Sequence, residues 1–393
     1  MDQFDCVVVG GGMVGSACAL SLAELGLTVA VIEKTAPEAF SPEQAFDLRV
    51  SAISLASEQL LTQLGAWQQL QQWRMCDYKR LGVWELEQAY TEFNAQDIQQ
   101  SHLGHIIENR LIQLSLWQQM QQQQNISLFC PATLVKFEQN SSSVALTLST
   151  GNDSSQLVQA KMVIGADGGN SYVRKLANIG STGWDYAQSA MLINVRTAKP
   201  QQDITWQQFF PTGPLAMLPM PGNCASLVWY HEKDQIKRLS ALSNSQLSQE
   251  VIQHFPERLG QVEVINKAAF PLTRRHANQY QKGRVLLIGD AAHSINPMAG
   301  QGVNLGFKDV NALQDVISTA IDQGELWHEP NVLSRYQQKR RSDNLLMMTT
   351  MDALYLSFGH VSPLAKFARN AGLSLVNKLP ALKNKALAYA CGI

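Results

Sequence analysis

The segment Gly10-Gly-Gly-Met-Val-Gly15 lies between a short apolar run, Asp5-Cys-Val-Val-Val9, and a helical stretch, Ser16 to Leu25. Gly26 follows as a helix stop, and Val29-Ala-Val-Ile32 is a second apolar run ending at Glu33. Strand, glycine turn, helix and strand within about 30 residues make a βαβ unit. Such a unit commits the chain to a parallel sheet with helices on its faces. G-x-G-x-x-G alone is weak evidence. Here it follows a strand, opens a helix and precedes an acid 18 residues past Gly15, and that context makes it a dinucleotide fingerprint.

Each residue has a physical reason. Gly10 permits the tight turn, Gly12 lets backbone approach a pyrophosphate, and Gly15 lets the helix pack on the strand. The helix N-terminus offers unpaired N–H groups and partial positive charge to phosphates. Glu33 is placed to bond the ribose hydroxyls of an adenosine, and its charge repels a 2′-phosphate. The bound nucleotide is therefore expected to be FAD or NAD rather than NADP.

Two further apolar runs end on Gly and Asp. Lys161-Met-Val-Ile-Gly-Ala-Asp167 continues as Gly168-Gly-Asn-Ser-Tyr-Val-Arg174. Arg284-Val-Leu-Leu-Ile-Gly-Asp290 continues through His293 and Pro297 to Gly300-Gln-Gly302. A helix is expected next, with Phe307, Val310, Leu313, Ile317 and Ile321 at helical spacing. Acids at the carboxyl ends of parallel strands sit where open α/β sheets bind ligands.

Residues from about 180 to 275 change character. Met191–Val195, Ala216–Leu218 and Ser226–Tyr230 are strand-like, punctuated by Pro and Gly, and predict a mostly antiparallel inserted sheet. Arg80-Leu-Gly-Val-Trp-Glu joins it. The fold class is α/β: a Rossmann-like FAD-binding domain, an inserted sheet domain and a C-terminal helical tail. The expected boundaries are 1–75, 101–178 and 276–334 for the first, 76–100 and 179–275 for the second, and 335–393 for the tail. Gln118–Gln124 is expected at an exposed helix end.

The 393 residues carry 31 Lys+Arg and 32 Asp+Glu, and this balance argues against a general nucleic-acid binder. The balance hides an asymmetry: from Arg335 onward the net charge is +7, and before it −8. The six cysteines are scattered, with no metal-ligand spacing, and Cys6 and Cys18 fall at core positions. No signal peptide or run of 18 apolar residues is seen, so a cytoplasmic protein is expected.

In their order, the three glycine motifs resemble the FAD-dependent aromatic hydroxylases of the para-hydroxybenzoate hydroxylase type. Asp47-Leu-Arg-Val-Ser-Ala-Ile-Ser54, Trp206-Gln-Gln-Phe, Gly213–Pro219, Ser226–Tyr230 and Phe270–Ala277 are similar to the ubiquinone-biosynthesis branch of that family. The resemblance covers essentially the whole chain. It implies a monooxygenase that hydroxylates a polyprenyl methoxy-methyl-benzoquinol ring, using FAD, O2 and a visiting NAD(P)H, through a flavin C4a-hydroperoxide. In a bacterium it implies a cytoplasmic enzyme, peripheral on the inner membrane, with a quinone-biosynthesis complex as a further partner. The alternatives are a sister hydroxylase acting at another ring position, a flavin halogenase or prenyl reductase, and a non-catalytic scaffold. The W-x-W-x-I-P segment of halogenases is absent.

The resemblance also distributes roles. Gly10, Gly12, Gly15 and Glu33 hold the ADP half of FAD, and Asp290 bonds the ribityl chain. Pro297, Gly300 and Gly302 face the flavin ring as the catalytic loop. Arg49 contacts FAD, and Asp167 and Gly168 serve FAD and transient NAD(P)H. Plainer readings stand beside these: Asp167 as a turn cap, Arg49 as a surface residue, His293 as a packing residue, Trp206 and Trp229 as core aromatics. No general base is evident. The basic, leucine-rich tail is expected either to lie on an anionic membrane surface or to pack as an ordinary helical segment.

Overall fold

The computed structural model describes residues 2–151, 154–200, 203–295, 300, 302–359 and 362–393. The strand Asp2–Val9 has parallel neighbours on both sides, Val29–Ile32 and Ser155–Gly165. Ile126–Phe129 and Val285–Leu287 extend the parallel sheet on either side. Strands covered on both faces are continuous apolar runs, and Cys6–Val8, Val29–Val31 and Val285–Leu287 are fully shielded from solvent.

The first helix, Met13–Glu24, buries Gly15, Ser16, Ala17, Cys18 and Ala19. These small side chains let it lie between the helices Asn109–Gln122 and Gly302–Asp322. Gly306 makes the second approach close: a Cβ there would come within 2.5 Å of Val14. On the Gly302–Asp322 helix, Phe307, Val310, Leu313 and Ile317 are buried, while Ile321 near its end is half exposed.

A second sheet has eight strands. His293–Ser294, Val262–Ala277, Ser181–Thr197, Cys224–Glu232, Leu215–Met220, Ile204–Gln208, Arg80–Trp84 and Thr91–Asn94 follow in spatial order. All these pairings are antiparallel except that of Ile204–Gln208 with Arg80–Trp84. The helices Lys233–Ala241 and Asn244–His254 contribute Ile236, Leu239, Leu247 and Val251 to a core with Trp84, Trp206 and Trp229. The two expected core tryptophans are thus core residues. A small third sheet, Val50–Ser54, Gly104–Glu108 and Cys76–Tyr78, lies in chain order between the two large ones.

The tail helices are Pro330–Gly359, Pro363–Asn377 and Pro380–Cys391. The first half of the long helix buries Val332, Leu333, Tyr336, Arg340 and Asn344, and residue 335 falls inside it. Farther on, Phe358 stacks on Phe209 with centroids 3.9 Å apart. Arg369 and Asn370 close on the buried Glu85 at 2.6 and 2.8 Å. The tail therefore docks on the edge of the second sheet. All six cysteines are free, and Cys6 and Cys18 are buried.

Candidate active site

Register places the glycine loops side by side. Val9 is opposite both Ile32 and Gly165, and Gly165 is opposite Leu287. The residues that follow, Gly10–Gly12, Glu33, Ala166–Gly169 and Ile288–Asp290, therefore emerge together at the carboxyl edge of one sheet. Open α/β sheets bind ligands at that edge.

The three glycines of the first motif have different surroundings. Gly10 has φ +106°, and a Cβ there would meet the Ala166 carbonyl oxygen at 2.5 Å. A Cβ on Gly15 would lie 1.9 Å from the Gly10 carbonyl oxygen. These two glycines are required by the protein itself. Among the described residues a Cβ on Gly12 meets nothing within 4 Å, which leaves space there for a ligand. Gly12 is also the N-cap of the first helix and makes no side-chain cap, so the first N–H groups of that helix are free of intrahelical partners.

The loop is held from behind. Gly11 donates its N–H to Glu33 Oε2 at 2.6 Å, while Glu33 Oε1 accepts from the N–H groups of Lys34 and Thr35. The Gly11 carbonyl accepts from Ser16, Gln113 and Trp117 at 3.0, 2.8 and 2.7 Å. Glu33 thus shapes the loop. Its two oxygens offer about four lone-pair sites, so room for a ribose hydroxyl remains.

Asp290 is exposed, yet the surrounding protein desolvates it. Burial raises its carboxyl above the ordinary aspartate range; His293 and Arg49 oppose the rise and Asp309 adds to it. Its place just after the strand Val285–Leu287 puts it at the carboxyl edge of the sheet, beside the glycine loops. Arg49 is exposed and near enough to act on Asp290 through charge; among the described residues its side chain makes no hydrogen bond. The loop before it is fastened by Arg74, which pairs with Glu108 at 2.7 Å, and by Arg110, which pairs with Asp47 at 2.9 Å.

Asp167 is engaged locally. Its oxygens accept from Ser171 Oγ at 2.5 Å and from the N–H groups of Tyr172 and Val173 at 2.6 and 3.0 Å. The turn-capping role is therefore present. Gly168 has φ +80°, and among the described residues a Cβ there meets nothing within 4 Å. Arg174 ties this turn to the Asp290 turn by donating to the carbonyls of Gly169 and Ala291.

The third motif lies partly outside the described residues, and Pro297 is among those omitted. Gly300 has φ +61°, and a Cβ on it would meet Ala52 at 3.5 Å. Gly302 opens the helix Gly302–Asp322, and among the described residues nothing lies within 4 Å of its Cβ direction. The N-terminus of that helix carries unpaired N–H groups and positive dipole.

Several positioning residues lie outside the Gly and Asp of the three motifs. Asn304 is buried and bridges this helix to the strand of Ala52, accepting from Ser54 N and Ser57 Oγ and donating to the Ala52 carbonyl. Asp309 is fully buried, with His293 and Arg340 at 2.5 and 2.8 Å. It also accepts the Gly289 N–H at 2.9 Å. Burial raises its carboxyl, but His293 and Arg340 outweigh this and hold it below the usual range. A polar or charged residue on an otherwise apolar helical stripe was the signal for both. His293 is thus a structural partner of Asp309.

The open spaces at Gly12, Gly168 and Gly302, the two helix N-termini and the carboxylate in the cleft fit an extended dinucleotide with a diphosphate and a hydroxylated chain. The FAD binding domain family matches residues 3–348 of the chain. The 3-demethoxyubiquinol 3-hydroxylase of Escherichia coli is 45% identical over 389 residues, spanning 99% of this chain and 98% of the other. The ubiquinone hydroxylase UbiL of Rhodospirillum rubrum is 35% identical, over 99% and 89% of the two chains. Among solved structures, p-nitrophenol 4-monooxygenase PnpA from Pseudomonas putida superposes with TM-score 0.79 at 20% identity, over 98% and 97% of the chains. The chain belongs to the FAD binding domain family, among the flavin-dependent monooxygenases that include the ubiquinone-pathway hydroxylases.

Proposed function

We propose that the substrate is a polyprenyl methoxy-methyl-benzoquinol and that the chain adds one hydroxyl to its ring during ubiquinone biosynthesis. The end-to-end match to a demethoxyubiquinol hydroxylase carries this reading. A quinol ring suits it chemically, because a ring hydroxyl pushes electron density onto the neighbouring carbon.

Bound FAD supplies the electron storage and O2 activation, drawing electrons from NAD(P)H. The residues of the chain bind and orient. Gly10, Gly12, Gly15 and Glu33 take the ADP half, with Gly12 clearing space for the diphosphate. Asp290 takes the ribityl hydroxyls, and Arg49 offsets its charge. Gly300 and Gly302 would bring a helix N-terminus beside the flavin ring, where N–H dipoles would stabilise negative charge; Pro297, the third residue assigned to this loop, lies outside the described residues. Gly168 leaves room beside the cleft for the visiting nicotinamide, and Asp167 holds that turn. The FAD-binding parts are 1–75, 101–178 and 276–334, and the substrate parts are 76–100 and 179–275.

The same reading places the enzyme at an anionic membrane surface. Among the described residues, no helix is long and apolar enough to cross a membrane. Leu364, Phe367, Leu375 and Leu382 are each more than half exposed on the last two helices. Lys366, Lys378 and Lys385 are exposed on or beside the same helices. Apolar side chains flanked by lysines suit a peripheral contact with anionic lipid. The test uses the quinol embedded in vesicles of anionic phospholipid. Leu364→Asp with Phe367→Asp should lower turnover there and leave turnover of a short-chain soluble quinol unchanged. Equal turnover by both forms on vesicles removes the membrane reading, and no turnover of either quinol removes the substrate.

A further inference from the structure

Away from the flavin cleft, three ligand-type side chains meet beside the helix Leu55–Gln63. Glu58 Oε2 lies 2.8 Å from His102 Nε2 and 3.2 Å from His105 Nδ1. The three coordinating atoms lie within 4.8 Å of one another. They come from separate parts of the chain: the first turn of a helix, a loop, and the strand Gly104–Glu108.

His105 is 7% exposed, and its Nδ1 is buried with no hydrogen-bond partner among the described residues. Its approach to Glu58 has the distance of a hydrogen bond without the required alignment. Leaving a buried polar atom unmatched is unfavourable. Something placed among the three groups would satisfy it.

The surroundings are those of a ligand site. Ser101 Oγ lies 2.8 Å from His102 Nδ1. Such a partner on the far nitrogen orients the ring and turns Nε2 toward the cluster. Asp77 is directly opposite His105 across the ladder, so the two side chains leave the same face. Asp77, Ser101, His102 and His105 line a cavity of about 460 Å³ that is open to solvent. Lys79 lines it too and opposes cation entry, so affinity must come from the ligands rather than from net charge.

We propose that Glu58, His102 and His105 bind one divalent transition-metal ion of the zinc class, with water at the fourth position. Two imidazoles and a carboxylate with one open position are a zinc-type donor set, and imidazole donors disfavour magnesium and calcium. The ion would fasten the helix Leu55–Gln63 to the strand Gly104–Glu108. That strand pairs with Val50–Ser54, which follows Arg49 directly. Metal occupancy therefore bears on the segment that carries a flavin-cleft residue.

The test is calorimetric titration of the chelator-treated, FAD-loaded chain with Zn²⁺ alone. One ion per chain is expected. Affinity should fall about tenfold or more in Glu58→Gln and in His102→Gln, with bound FAD retained in both. A second measurement uses the unaltered chain with Co²⁺, read as a difference spectrum against the flavin. Intense visible absorption of a four-coordinate ion is expected. Absence of Zn²⁺ binding by the unaltered chain, unchanged affinity in either variant, or the weak spectrum of hydrated Co²⁺ would each overturn the proposal.

Discussion

His293 Nε2 lies 2.5 Å from Asp309 Oδ2, and both side chains are almost completely shielded from solvent. The pair joins the turn after the strand Val285–Leu287 to the helix that begins at Gly302. Arg340 on the long helix adds a bond at 2.8 Å to the other oxygen, and Asn344 lies 3.2 Å from that oxygen. One carboxylate thus holds three segments in fixed relation beside the flavin cleft.

Replacing Asp309 by Ala leaves His293 buried without its anion and strips Arg340 of one of its two carboxylate partners, the other being Asp343. Breaking a buried pair from one side costs about 3–5 kcal/mol. Urea unfolding of the FAD-free chain should show a loss of that size, and a loss below about 1 kcal/mol, the worth of an exposed pair, would contradict it.

The two outer glycines of the first motif and the middle one should fail differently. Gly15→Ala forces a Cβ to 1.9 Å from the Gly10 carbonyl oxygen, so the variant should lose stability even without cofactor. Gly12→Val places its Cβ in open space and should give a folded, colourless protein. Circular dichroism and flavin content separate the two. Full flavin in Gly12→Val would remove the phosphate role of that loop.

Asp290→Asn should raise the stability of the FAD-free chain near neutral pH while weakening FAD binding. The native carboxyl has a raised pKa. The native state therefore holds its proton to higher pH than the unfolded chain does, and it loses stability as pH rises through the shifted value. An amide carries no such charge. FAD affinity should fall roughly 10–100-fold, the worth of one hydrogen bond to a charged group. Thermal melts with and without FAD check both signs together.

His276 gives the opposite pH dependence. It is 5% exposed, and burial, with the charges of Arg341, His293 and Arg274, lowers its pKa to about 4. The unfolded chain takes up the proton near the ordinary value of 6.5, so the native state is disfavoured as pH falls from there toward 4. Moving from pH 7 to pH 5 should cost about 2 kcal/mol through this group. His276→Gln should flatten the stability profile by that amount, and an unchanged slope in urea titrations would contradict the assignment.

Local signals made much of the fold legible. The apolar runs Asp5–Val9, Val29–Ile32 and Arg284–Ile288 announce parallel strands because a doubly covered sheet admits no polar face. Pro and Gly punctuation marked the strands of the second sheet. Cys76–Tyr78 is less visible: it falls in the 76–100 segment with Arg80–Trp84 but pairs with Gly104–Glu108, and register across a short loop is not encoded locally. Gly12 could be read because its role follows from backbone alone. Asn304, Arg174 and Trp117 could not, because each acts on a residue at least five positions away, and Asn304 bonds across about 250 residues. The tail was legible as basic and apolar. Its division into docked residues, such as Arg369 and Phe358, and exposed ones, such as Leu364 and Phe367, depends on the partner Glu85 and the ring of Phe209.

The central claim is that this flavin cleft delivers one atom of O2 to a polyprenyl benzoquinol ring. The direct measurement is the product mass after turnover of the methoxy-methyl-benzoquinol with NAD(P)H under ¹⁸O-labelled O2. The account predicts a product heavier by one labelled oxygen on the ring. NAD(P)H oxidation that yields only labelled hydrogen peroxide and unchanged quinol, or an oxygen drawn from water, would contradict it.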